Sequence, residues 1–343
     1  MIPVHPAATG PGQVWRVGEN ARVLQVLLVT FPFFALVLAG YVAARRRMLP
    51  LDAIAGLNGF VLYFALPCLL FRFGSTTPLA QLLDASAFLT YLLCALILVG
   101  FVVAVSLNRR IGWNDAAFGA LVAAFPNTGF MGVPLLVALL GPAAAGPAIV
   151  TILVDILITT SLCTALSRLD GADEHGFSKA TRNALRGVLV NPMPWAILLG
   201  ASASAVQLQL PAPVLQTLGL MADAASPVAL FTIGAVLARS QMQGPSGVHG
   251  AVPLRDFVPV AVIKLLVHPL LVLLVGVAAI QVGVPLERFA LTVMVLVAAL
   301  PSASNVSLLA EKYGANNGRI ARIILVSTAA AFVSFSAVVS LVL

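Results

Sequence analysis

The fold is decided by one stretch of sequence, Phe125-Pro126-Asn127-Thr128-Gly129-Phe130-Met131-Gly132-Val133-Pro134, which places two prolines and two glycines inside an apolar run. Each proline removes a backbone donor and clashes with the carbonyl four residues earlier, so no regular helix continues through the stretch. Inside a bilayer, the freed peptide groups need partners from protein or water. The interruption is therefore expected to face the protein interior or a cavity.

The whole chain has the composition of a membrane protein. Its 343 residues are 60% hydrophobic and 9% charged, whereas about 25% of the residues of a soluble domain are charged. A helix needs about 20 apolar residues to cross a bilayer, and ten windows of that kind occur. They are 24–43, 55–74, 86–107, 115–140, 147–167, 188–207, 218–238, 258–282, 289–311 and 320–343. The sequence thus predicts an all-α membrane protein with ten transmembrane helices.

The cations indicate an orientation. Most of the 19 Lys and Arg residues lie in segments that follow odd-numbered windows, and cytoplasmic loops carry the excess of these residues. We therefore expect a multi-pass plasma (inner) membrane protein with both termini extracytoplasmic. The net charge of +7 then reflects topology, and no nucleic-acid partner is needed to explain it.

The two halves of the chain resemble each other at a fixed offset. An offset of 160 pairs Pro32 with Pro192, Gly40 with Gly200, Pro67 with Pro227, Leu70 with Leu230, Phe71 with Phe231 and Gly74 with Gly234. Five windows per half is an odd number, so the second half would enter the membrane inverted. Such repeats are typical of secondary transporters; the alternative is chance coincidence among common apolar residues.

The repeat defines four segments of the chain. The sequence predicts an extracytoplasmic tail (1–23), a first five-helix repeat (24–167), a cytoplasmic linker (168–187) and a second five-helix repeat (188–343).

The ninth window mirrors the interruption of the fourth. It contains Leu300-Pro301-Ser302-Ala303-Ser304-Asn305-Val306-Ser307, and Pro301 matches Pro126 at an offset of 175. Two broken helices that cross near the midplane would present half-helix N-termini, which attract anions. The predicted substrate-binding residues are Pro126, Asn127, Thr128, Gly129, Pro301, Ser302, Ser304 and Asn305. The alternative is a pair of kinked packing helices with small interface residues.

Two ionisable residues fall inside the windows, where charge is expensive and indicates function. Asp155 shares a helix face with Thr159, and it could carry a proton, bind sodium or hold a purely structural hydrogen bond. Lys264 could pair with a carboxylate, stand in for a bound cation or extend towards the cytoplasmic interface. His268 lies on the same helix face as Lys264, and we interpret it as a packed or backbone-bonded residue. We predict ion coupling through Asp155, Thr159 and Lys264, with no metal site except sodium near Asp155.

Several motifs resemble the auxin efflux carrier family, which includes plant PIN-type exporters and bacterial carriers of malonate and other organic anions. They are Pro126-Asn127-Thr128, Met131-Gly132-Val133-Pro134-Leu135-Leu136, the Pro301 to Asn305 segment, Phe64-Ala65-Leu66-Pro67 and Lys264-Leu265-Leu266 with Pro269. The resemblance implies a fold of two inverted five-helix repeats like that of sodium/bile-acid symporters. It also implies helices 4 and 9 crossing in a mobile transport domain, and a homodimer. The short linker favours a bacterial-type member.

Together these patterns predict a secondary transporter for a small organic anion, such as a carboxylate, that works by alternating access. An enzyme is not expected, because no Ser–His pair or carboxylate pair shares midplane depth. No cofactor is expected beyond a coupling ion, H⁺ or Na⁺, and the partners are the substrate and the lipid bilayer. An uncoupled channel-like or regulatory membrane protein of the same fold is the alternative.

Overall fold

The computed structural model describes residues 19–169, 189, 192–242 and 252–343. Within these ranges the chain is helical, with no strand beyond two isolated bridges. The helices are α1 (Glu19–Arg45), α2 (Ala53–Thr76), α3 (Ala85–Ser106), α4 (Trp113–Ala124), α5 (Thr128–Leu140), α6 (Pro142–Leu166), α7 (Pro192–Ala205), α8 (Ala212–Met242), α9 (Leu254–Gln281), α10 (Arg288–Ala299), α11 (Val306–Lys312) and α12 (Asn317–Val342). A single helical turn at Leu79–Leu82 joins α2 to α3.

Seven of these helices are long and apolar enough to cross a membrane: α1, α2, α3, α6, α8, α9 and α12. This confirms a helical, multi-pass membrane protein. The other three predicted windows hold shorter or interrupted helices, namely α4 with α5, α7, and α10 with α11. Ten crossings therefore stay a prediction. Most of the predicted tail (1–23) and linker (168–187) lies outside the described residues.

Side-chain caps fix where two of the long helices begin. The carboxylate of Asp84 accepts hydrogen bonds from the N–H groups of Ser86 and Ala87 at the start of α3. The side chain of Asn316 accepts from the N–H of Arg319 at the start of α12. Such caps satisfy backbone donors that the first turn of a helix leaves free.

Three prolines of the membrane helices follow π-helical turns, whereas Pro32, Pro227 and Pro259 lie inside α-helical segments. Three such turns, Val61–Ala65, Thr128–Gly132 and Ile263–Val267, each end two residues before a proline, at Pro67, Pro134 and Pro269. The wider turn gives room to a ring that would clash with the preceding turn of an α-helix. A fourth π turn, Asp155–Thr159 in α6, precedes no proline, so a different cause is needed there.

Helices α1 and α8 approach each other backbone to backbone at two glycines. A Cβ atom on Gly40 would lie 1.8 Å from the carbonyl oxygen of Phe231, and one on Gly234 would lie 1.8 Å from that of Val37. No side chain fits at either position. Small residues are what close helix packing in a membrane requires, because lipid gives little hydrophobic drive for association.

Helices α2 and α7 meet in the same way. A Cβ atom on Gly200 would lie 2.4 Å from the carbonyl oxygen of Phe71, and one on Gly74 would lie 2.9 Å from that of Ile197. Each of these four residues is 160 positions away from its counterpart in the contact between α1 and α8. The offset found in the sequence therefore relates one observed helix contact to the other.

Candidate functional site

The two interrupted helices meet through their backbones. The N–H of Asn127 donates to the carbonyl of Pro301 at 2.8 Å, and the N–H of Ala303 donates to the carbonyl of Phe125 at 2.9 Å. Pro126 thus faces Ser302 in an isolated antiparallel bridge. The two hydrogen bonds are related by an offset of 176: Asn127 corresponds to Ala303, and Phe125 corresponds to Pro301. This offset is one residue longer than the offset of 175 that aligns Pro126 with Pro301. Backbone groups that lack a helical partner at the two breaks thus partly satisfy each other, as the low-dielectric interior demands.

Asparagine side chains flank this crossing at the start of α5 and α11. Asn127 is 4% exposed and Asn305 is half-buried, yet neither makes a helix-capping hydrogen bond with its side chain. The Oδ1 atom of Asn305 is buried without a partner among the described residues, and so is the hydroxyl of Ser302. Buried polar atoms without partners are costly. The crossing therefore holds uncommitted polar groups where the sequence predicts the substrate.

The structure brings most, but not all, of the predicted site residues together. Pro126 pairs with Ser302 and Asn127 with Pro301 at the bridge, and Thr128 follows them in the chain. The hydroxyl of Thr128 turns back to the Pro126 carbonyl at 3.5 Å.

The remaining predicted residues lie beside α2 and α8. Gly129 faces Leu66 of α2, and a Cβ atom on this glycine would lie 3.7 Å from a methyl carbon of the leucine. Ser304 and Asn305 line a small cavity against α2 and α8. They extend the site from the crossing towards Arg239, a residue that the sequence places in a loop and the structure places, half-buried, in α8.

Asp155 opens the π turn of α6 that no proline explains. Its side chain is fully buried. One carboxylate oxygen accepts from the hydroxyl of Thr159 at 3.2 Å and the other from the hydroxyl of Tyr91 at 3.4 Å. The Thr160 hydroxyl donates to the Asp155 backbone carbonyl at 2.8 Å, which supplies a partner for the widened turn. Such turns are frequent at functional sites.

Lys264 lies in the π turn of α9 and is also fully buried. This burial does not agree with the alternative in which Lys264 extends towards the interface. Its Nζ donates to the carbonyl of Ala298 at 2.9 Å and lies 3.0 Å from Nδ1 of His268. Ala298 belongs to the last turn of α10, whose carbonyls carry partial negative charge. The lysine thus caps the helix that runs into the crossing.

Tyr91 and His268 join the two ionisable residues into one buried polar cluster. The rings of Tyr91 and His268 are 6.1 Å apart, centroid to centroid, and Nε2 of His268 has no partner among the described residues. No ion pair within 4.0 Å joins Asp155 to Lys264 in the part of the chain that the structure describes. The carboxyl group of Asp155 and the amine of Lys264 therefore belong to one buried group of polar side chains, which Tyr91 of α3 and His268 of α9 complete.

Sequence reasoning did not find Tyr91 or the carbonyl of Ala298. Tyr91 left a signal, because it is a phenol in the middle of a strongly apolar window. The carbonyl of Ala298 left none, because every residue carries one. The role of Arg239 beside Asn305 also required the tertiary structure.

Known proteins are similar in sequence to this chain over most of its length. The family model described as "Membrane transport protein" matches residues 26–339. A "Putative malonate transporter" of Rhizobium meliloti (strain 1021) is 28% identical over 302 residues, which cover 88% of this chain and 90% of the relative. "Uncharacterized transporter YfdV" of Escherichia coli (strain K12) is 29% identical over 290 residues, 82% of this chain and 86% of the relative.

An archaeal relative extends the similarity further along the chain. An "Uncharacterized transporter" of Methanothermobacter thermautotrophicus is 27% identical over 319 residues, 92% of this chain and 96% of the relative. The family and the relatives point to a transporter and not to an enzyme. Since the family model spans most of the sequence, the chain belongs to this family of membrane transport proteins, the auxin efflux carrier family that its motifs resemble.

Proposed function

We propose that the chain is a secondary transporter that moves a small organic anion carrying a carboxylate across the membrane by alternating access. The substrate binds at the crossing of the two interrupted helices. The observation that carries this proposal is that the carboxamides of Asn127 and Asn305 make no helix-capping hydrogen bond although both residues lie beside the backbone bridge. Amide groups and the N-terminus of α5 suit a carboxylate. The malonate in one relative's name makes malonate the first compound to try.

The glycine contacts support an inverted repeat as the basis of the motion. Positions 160 residues apart make equivalent contacts in the α1–α8 pair and the α2–α7 pair. In transporters with such repeats, alternating access comes from the movement of one helix bundle against another. We propose that α1, α2, α7 and α8 form the scaffold, and that the crossing helices move against it as an elevator. A homodimer through this scaffold stays a prediction.

Asp155 and Lys264 supply the proposed coupling. A buried carboxylate beside an anion site repels the substrate unless it takes up a proton or a cation. The polar cluster reaches the crossing through Lys264 and the Ala298 carbonyl, so a charge change at Asp155 can alter α10. We propose H⁺ or Na⁺ as the coupling ion, with export down the membrane potential as the uncoupled alternative.

The test is uptake by the purified chain in liposomes. Asn127→Ala and Asn305→Ala are each expected to reduce the initial rate of radiolabelled malonate counterflow by about tenfold or more, because each removes a polar partner of the anion. Gln209→Ala, at an exposed position between α7 and α8, is the matched control with an unchanged rate. Wild-type rates in both asparagine variants would overturn the assignment. Conductance without saturation would instead indicate a channel.

A further inference from the structure

A small cavity lies between the scaffold helices and the interrupted helix pair. Its volume is about 10 Å³, roughly what one water molecule needs. Asn58 of α2 and Arg239 of α8 line one side, and Ser304, Asn305 and Ser307 line the other. The cavity is therefore a polar contact between two parts of the molecule that the proposed function sets in relative motion.

The lining has the chemistry of an anion site. Beside three apolar side chains, it contains one guanidinium, two carboxamides and two hydroxyls, and no acidic residue. The hydroxyl of Ser307 already donates to Oδ1 of Asn317. Oδ1 of Asn305 is buried without a partner among the described residues, and rotation of that amide would present its NH₂ group instead. A planar guanidinium matches a carboxylate with two parallel hydrogen bonds.

Arg239 has no acidic partner in the described part of the chain. The ion pairs there are Arg72 with Asp223 and Arg110 with Asp256. Arg239 nevertheless ends a membrane-spanning segment and is half-buried. A half-buried guanidinium with no carboxylate partner among these residues is available to pair with the carboxylate of a ligand.

Asn305 connects this cavity to the crossing. It lies two residues beyond Ala303, whose N–H forms the bridge, and it also lines the cavity with Arg239. A ligand that binds one carboxylate at the crossing and extends past Asn305 would bring a second carboxylate to the guanidinium. A ligand with a single carboxylate would leave either Arg239 or the crossing without an anionic partner.

We propose that Arg239 binds the second carboxylate of a short dicarboxylate and so selects dicarboxylates over monocarboxylates. This inference rests on the proposed function. Because the cavity holds only about one water in this state, the contact forms when the crossing moves away from α2 and α8 and the cavity widens. Arg239 is then a specificity-determining residue rather than part of the crossing itself.

The experiment compares malonate with monomethyl malonate, which keeps the carbon chain but has one carboxylate. Each is tested as a competitor of radiolabelled malonate counterflow in liposomes that contain the full chain. Arg239→Gln should weaken competition by malonate about tenfold or more, since it removes charged hydrogen bonds, and should leave competition by monomethyl malonate within about twofold. Arg239→Lys should weaken competition by malonate less than Arg239→Gln does, because lysine keeps the positive charge but cannot form two parallel hydrogen bonds to a carboxylate.

Controls separate surface charge and folding from recognition. Arg46→Gln removes an exposed cation after α1 and should leave both ligands unchanged. Within Arg239→Gln, the two ligands report on the same protein, so a folding defect would affect them equally. Equal weakening of both ligands, or no change in either, would overturn the inference.

The outcomes also distinguish this inference from the proposed function. If Asn305→Ala loses transport while Arg239→Gln changes competition by malonate and by monomethyl malonate equally, only the proposed role of Arg239 fails. If the wild type transports monocarboxylates and no dicarboxylate, that role fails as well. If the wild type transports no carboxylate, both proposals fail.

Discussion

Asp155 is held by hydroxyl groups, and this determines what its replacement should do. Thr159 and Tyr91 donate to its two oxygens. An asparagine side chain has nearly the same shape and still accepts a hydrogen bond through its carbonyl, but it cannot exchange a proton. The substitution therefore separates the shape of the site from its charge.

We expect Asp155→Asn to retain malonate exchange and to lose accumulation driven by an imposed pH or sodium gradient. Proteoliposomes with and without each gradient would measure this directly. Asp223→Asn, in an exposed ion pair with Arg72, is the control that keeps gradient-driven uptake. Full accumulation in Asp155→Asn would exclude the residue from coupling.

Replacement of Lys264 tests, through the free energy of unfolding, whether the buried Lys264 and Asp155 interact. Lys264→Met removes the donor to the Ala298 carbonyl and leaves Asp155 without an opposite charge nearby, at a cost of about 1–3 kcal/mol. Adding Asp155→Asn should recover part of this loss, because removing both charges is cheaper than removing one. Thermal unfolding of the two single variants and the double variant in detergent gives the comparison. Additive losses would mean that the two charges do not interact.

At the scale of helices, close approach at glycines holds the scaffold together. The contact between α1 and α8 leaves no room for a Cβ atom at Gly40 or Gly234. The π turns adjust the other helices to their prolines. The absence of a side chain at these glycines is therefore what allows the two helices to pack at this distance.

Gly40→Ala should destabilise the protein by about 1–3 kcal/mol, because the added methyl group forces α1 away from the Phe231 carbonyl. Gly100→Ala in α3 is the control: nothing lies within 4 Å of a Cβ atom there, and alanine favours a helix. The measurement is the unfolding midpoint of each purified variant. A midpoint for Gly40→Ala equal to that of Gly100→Ala would show that the helices can separate at no cost.

At the scale of the whole molecule, the charge distribution predicts that both termini are extracytoplasmic. In a background without the three native cysteines, Gln209→Cys should react with a membrane-impermeant maleimide in intact cells. Arg46→Cys should react only after permeabilisation. Both positions are exposed in the structure. The reverse labelling pattern would invert the orientation.

The breaks in the chain were predictable because proline acts through its own covalent structure. The chain leaves helical structure at 125–127 and at 300–305, inside the two stretches where the sequence predicts interruptions, and the long apolar windows are helices. The contacts across the breaks were not predictable in the same way. The bonds of Asn127 and Ala303 use backbone groups that every residue has, and the burial of Lys264 depends on how α9 packs against α10.

The bridge between the two breaks bears on how this protein can change its selectivity. Its hydrogen bonds come from the N–H groups of Asn127 and Ala303 and the carbonyls of Phe125 and Pro301, so any residue except proline can donate at positions 127 and 303. The connection at position 127 therefore does not depend on the identity of the side chain. Evolution or design can change that side chain, and with it the selectivity, without losing the hydrogen bonds that join the two interrupted helices.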